Sequence, residues 1–69
     1  MHVVITSDNE CYKDYKGAIL KITHVATNKA QHPGYDESME GEALYDLEDL
    51  EGNAVPFSLY EYEVKGILQ

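Results

Sequence analysis

The chain opens on His2-Val3-Val4-Ile5-Thr6, a short β-branched run that predicts a first strand with Val3 and Ile5 turned inward. Ser7-Asp8-Asn9-Glu10 then supplies turn chemistry. Residues 10 to 16 mix Tyr12 and Tyr15 with charged neighbours and stop at Gly17, which fits one helical turn or a structured loop. Residues 18 to 27 contain Ile19-Leu20-Lys21-Ile22-Thr23-His24-Val25, and strict alternation puts Leu20, Ile22 and His24 on the core face of a second strand. Periodicity is lost from Ala26 to Asp36, where Pro33-Gly34 is a strong turn pair, so this stretch reads as a long surface loop.

Two readings compete over residues 36 to 51. Helical spacing aligns Met39, Ala43, Leu47 and Leu50, with Gly52 beyond the end. Strand spacing instead turns Ala43, Tyr45 and Leu47 inward and Leu44 and Asp46 outward, with Glu51-Gly52-Asn53 leading into Val55 and Phe57. The hairpin is favoured because the short apolar segment Ala54-Val55-Pro56-Phe57 needs a neighbouring strand, and Pro56 marks it as an edge. Ser58-Leu59-Tyr60-Glu61 has the form of a capping box and predicts one helical turn. Tyr62 to Ile67 alternates again, as a closing strand with Tyr62 and Val64 inside. The expected class is all-β, five short strands with one short helical turn near Ser58–Glu61. The alternative is α+β, with a helix over residues 36 to 51.

Length and charge narrow the function. Sixty-nine residues suffice for one small domain spanning residues 1 to 69. The apolar runs fall far short of a membrane span, and the N-terminus lacks the basic, apolar and small-residue sections of a secretory signal. The single Cys11 can form no internal disulfide, which fits a cytoplasmic protein. The formal charge is −8, and residues 35 to 69 hold ten acids against one lysine. That balance repels phosphate backbones and argues against direct nucleic-acid binding, although solubility alone also accounts for it.

In their order, strand, loop, long strand, loop, hairpin, helical turn and short final strand resemble small SH3-like barrels. The string ALYDLEDLEGNAVPFSLYEYEVKGI, residues 43 to 67, is similar to the second half of such a barrel, and the chain resembles short uncharacterised bacterial proteins of that kind. The resemblance implies a fold and leaves function to the surface. Ala43-Leu44-Tyr45-Asp46 also echoes the string that opens eukaryotic SH3 domains, but the proline that would close the groove, Pro56, follows too soon. The chain has no tryptophan either, so recognition of PxxP ligands is not implied.

No catalytic constellation stands out. Cys11 follows Glu10, which disfavours a thiolate nucleophile. His2, His24 and His32 match no compact ligand spacing, and His24 reads as a hydrogen-bonded core histidine with His32 exposed. Asp36, Ser38, Glu40 and Gly41 fit the first half of a calcium loop, but Leu47 stands where the bidentate glutamate is required. No cofactor or metal is expected. What rises above composition is the set of six tyrosines. Tyr45 and Tyr62 are assigned to the core, while Tyr12, Tyr15, Tyr35 and Tyr60 fall in loops or turns, where tyrosine favours interfaces. The expected function is a non-enzymatic protein-interaction module. Its partner-binding surface would be Tyr12, Tyr15, Tyr35, Asp36, Glu37 and Tyr60, facing a protein with basic or apolar surface. An acidic mimic that occupies a nucleic-acid-binding protein is the alternative, a minor metal-dependent or enzymatic protein is a third reading, and a weak homodimer through the Pro56 edge is also open.

Overall fold

The computed structural model of the protein describes residues 1–67. Its strands are β1 (His2–Ile5), β2 (Leu20–Ala26), β3 (Leu44–Glu48), β4 (Ala54–Tyr60) and β5 (Val64–Ile67). They form one antiparallel sheet in the order β4-β3-β2-β1-β5, which makes the protein all-β. The remaining regular structure is three 3-10 turns, Glu10–Tyr15, Glu37–Met39 and Glu61–Glu63. Among the described residues, no helix is long and apolar enough to cross a membrane. The proposed helix over residues 36 to 51 gives way to the 37–39 turn and β3.

Alternation sends Val3, Ile5, Leu20, Leu47, Val55 and Leu59 to one face, where they form the main core. Burial of each such side chain is worth roughly 1.5–3 kcal/mol. Tyr12, Tyr15, Ile22, Tyr45, Phe57 and Val64 pack around its rim. Pro56 lies on β4, at one end of the sheet order, where its missing N–H breaks no ladder between two neighbours. The β3–β4 turn is held by Asp49, whose Oδ1 accepts from the N–H groups of Glu51 and Asn53, both at 2.9 Å. Gly52 closes that turn at φ +89°, a left-handed conformation that a side chain would strain.

A bulge corrects the assignment of His24. Ile22 pairs with Leu47, but the next pair is His24 with Asp46, so Thr23 is an extra residue on β2. One extra residue inverts the alternation, and His24 leaves the core face for the outer face and solvent. The same inversion carries Ala26 to the outer face, opposite Leu44.

There Ala26 and Leu44 are buried all the same, because the connection between β2 and β3 folds back over them. This flap, residues 27 to 43, is the stretch read as an open surface loop up to Asp36. Tyr35 from its middle is 1% exposed and fills a second, smaller core with Ala26 and Leu44, flanked by Met39 and Tyr60. The final turn also differs from expectation. Ser58 remains in β4 opposite Asp46, Tyr60 opposite Leu44, and the turn begins at Glu61. Its cap is Glu63, whose Oε1 accepts the Tyr60 N–H at 3.0 Å. With the turn moved, Tyr62 lies on it rather than inside a closing strand and is 67% exposed.

Candidate functional site

His32, Asp46 and Ser58 meet on the outer face, brought together by the flap, β3 and β4. Ser58 Oγ donates to Asp46 Oδ1 at 2.5 Å, and His32 Nε2 reaches the same oxygen at 3.0 Å. The trio has the residue types of a hydrolytic triad but not its polarity. In a triad the histidine accepts from the serine on one nitrogen and donates to the aspartate from the other. Here Gly34 N–H donates to His32 Nδ1 at 2.9 Å, which assigns the ring proton to Nε2 and directs it at Asp46. No lone pair is left to take the serine proton, and the serine already donates to the carboxylate. The cluster therefore clasps the flap to the sheet. Burial alone would push the Asp46 carboxyl up, but the hydrogen bonds it accepts from Ser58 and His32 outweigh it and leave the group below its ordinary value. His32, expected on the surface, is half-buried in this clasp.

Tyrosine hydroxyls extend the fastening. The Tyr35 hydroxyl is shared between the carbonyls of Met39 (2.5 Å) and Glu42 (2.6 Å), and Tyr60 Oη accepts the Asp36 N–H at 2.9 Å. Tyr35 and Tyr60 meet edge to face at 5.6 Å. The Asp36 carboxylate caps the 37–39 turn, accepting from Ser38 N–H and Oγ, and these bonds hold it below its ordinary value against a weaker effect of burial. Of the six residues singled out from the sequence, Tyr35 is thus a buried anchor, a correction to its placement on an open loop. Tyr60 and Asp36 are half-committed to the flap, and Glu37 is exposed beside them. Tyr12 and Tyr15 lie elsewhere, half-buried around Phe57 with ring centroids 4.6 and 5.5 Å away.

Tyr62, which the sequence pattern places inside, is exposed on the last turn beside Tyr60. Tyr62 lies parallel to Tyr60, centroids 6.2 Å apart. The turn that carries it is fastened at both ends. Glu61 N–H donates to Ala43 O at 2.8 Å, and Glu63 O accepts from Thr6 (2.9 Å) and Ser7 (3.3 Å). The opposing 10–15 turn is capped by Asn9, whose Oδ1 accepts the Cys11 N–H, and steadied by the Lys16–Asp8 ion pair. The result is a shelf of Tyr60 and Tyr62 on the turn that also carries Glu61 and Glu63, with the Tyr12 phenol near the Glu63 carboxylate. Burial and the Glu63 carboxylate together push the Tyr12 phenol up to about 12. Burial and Glu61 raise Tyr45 in the same way. Among the described residues the ion pairs are Lys16–Asp8 and His32–Asp46, so neither Glu61 nor Glu63 has a cationic partner within 4.0 Å.

No pocket opens on the described surface, and among the described residues no three metal-ligating side chains converge. Cys11 is free and exposed. Fold and surface together define a small all-β domain whose outward chemistry is tyrosine and carboxylate. Compared with protein-family models, curated proteins and solved structures, the chain finds no match in any of the three.

Proposed function

We propose that this chain is an SH3-like barrel that works as a non-enzymatic protein-interaction module, binding through the shelf of Tyr12, Tyr60, Tyr62, Glu61 and Glu63. The observation that carries the reading is Tyr62, two-thirds exposed on a turn tied at both ends, with Glu61 and Glu63 on either side of it in sequence and neither in an ion pair among the described residues. A large aromatic side chain held rigidly in solvent loses little entropy when a partner covers it. The barrel assignment is supported by the strand order and by the 3-10 turn that links β4 to β5. The partner is a protein with basic or apolar surface, because a net charge of −8 repels nucleic acid and draws cations. An unpaired, exposed cysteine supports a reducing compartment, the cytoplasm.

Photo-crosslinking tests the reading. A photoreactive phenylalanine derivative at position 62, which keeps an aromatic ring there, is expected to capture a discrete set of proteins, less efficiently as salt is raised. The same residue at position 29, on the flap, should capture few of them. Identical sets from the two positions would overturn the shelf as the working surface.

A further inference from the structure

We infer that His32 is a proton-operated latch: when its ring gains a second proton, the turn from His32 to Tyr35 is released and the flap loosens over Ala26 and Leu44. The neutral ring has both nitrogens in use. Nδ1 accepts the Gly34 N–H at 2.9 Å, and Nε2 donates to Asp46 Oδ1 at 3.0 Å. A protonated imidazole has two donors and no acceptor. Its Nδ1 proton would face the Gly34 N–H, and the ring lies so tightly on Gly34 that a Cβ there would sit 3.2 Å from His32 Cε1. Protonation strengthens the Asp46 contact, so the ring stays on the sheet and the turn gives way. That turn sets Tyr35, whose N–H donates to His32 O at 3.1 Å and whose ring covers Ala26 and Leu44.

The surroundings single out this ring. The titratable groups beside it are Asp46 on β3 and, across the strand pair from Asp46, His24 on β2, while β4 contributes the Ser58 hydroxyl. On the flap the nearest charged residues in sequence are Lys29 and Asp36. Asp46, held below its ordinary value, stays ionised in mild acid. His24 Nε2 meets the Gln31 carbonyl at 3.2 Å, a contact in which the ring donates whether neutral or charged, so proton uptake there breaks no bond.

The test is NMR of the isotope-labelled full chain, titrated from about pH 8 to about pH 5, the interval in which imidazoles change charge. Ring-nitrogen shifts at the neutral end should show His32 protonated on Nε2 alone. As the ring takes up its second proton, the Gly34 and Tyr35 amide resonances should move with the same midpoint. Hydrogen-exchange protection of residues 27 to 43, corrected for the intrinsic rate at each pH, should fall about five- to tenfold, the range that one lost hydrogen bond supports. His32→Asn supplies a side-chain oxygen that accepts the N–H two residues on without titrating, and should abolish the step. His24→Gln keeps a donor for the Gln31 carbonyl and should leave the step in place. A neutral His32 ring protonated on Nδ1, a ring still neutral at about pH 5, a Gly34 amide that ignores the His32 midpoint, a step that survives His32→Asn, or one that vanishes in His24→Gln would each overturn the latch. The first three are read on the unaltered chain, so they decide the outcome even where a variant fails to fold.

Discussion

The two faces of the sheet are closed by different means. On the inner face six aliphatic side chains from four strands bury one another, and each contact follows from alternation. On the outer face a single ring, Tyr35, covers Ala26 and Leu44, and its position depends on hydroxyl and imidazole hydrogen bonds. The inner core is broad and non-directional, whereas the outer one is small and held by polar contacts that each require a particular geometry. A connection of this length is entropically costly to order, and the tyrosine and the clasp offset that cost locally. The flap should therefore be the first part of the molecule to open.

Truncating the inner core should have the largest effect. Leu59→Ala is expected to cost about 2–5 kcal/mol, unfolding much of the population, as measured by urea denaturation. Every protected amide should then exchange faster together. Tyr35→Phe keeps the ring but removes the hydroxyl that donates to the Met39 and Glu42 carbonyls, for a loss of about 1–2 kcal/mol. Here the acceleration of hydrogen exchange should be concentrated in residues 27 to 43. Were the central strands to accelerate equally, the two faces would be one cooperative unit and the contrast between them would fail.

The clasp should respond to acid. Asp46 titrates below its ordinary value of 3.8 in the folded protein, so its stabilisation is complete above 3.8 and is lost as pH falls from there through the lower folded value. NMR of the flap amides between neutral pH and pH 3 should show loosening at the acid end. Asp46→Asn should reduce stability by about 1 kcal/mol at neutral pH and remove that part of the acid response. Tyr62→Ala should have the smallest effect on stability, within about 0.5 kcal/mol, because the ring is mostly in solvent. A larger loss would mean that the shelf is a packing element.

The inner face was legible in the sequence because its signal is local. Val3 and Ile5, Tyr45 and Leu47, and Val55 and Phe57 each obey a period of two, and the Gly52 turn marks where the chain reverses. Leu44 was assigned outward and does face outward, but what covers it lies nine positions earlier in a stretch without periodicity. His24 was misplaced because a one-residue bulge has no signature in a run of β-branched residues. Tyr62 was misplaced by the register of a turn. Glu63, three residues after Tyr60, carried the signal that the cap lies later than Ser58-Glu61, which turns Tyr62 outward. The candidate surface was thus half visible: tyrosines beside acids could be read, but which of them are anchors and which are free depends on contacts between distant segments.

The division of labour between buried and exposed tyrosines is tested most directly by comparing Tyr62→Ala with Tyr35→Phe in capture of partner proteins, at matched folded fraction and ionic strength. Tyr62→Ala should lose capture while keeping full stability, and Tyr35→Phe should keep capture while losing stability. Undiminished capture by folded Tyr62→Ala would contradict the account.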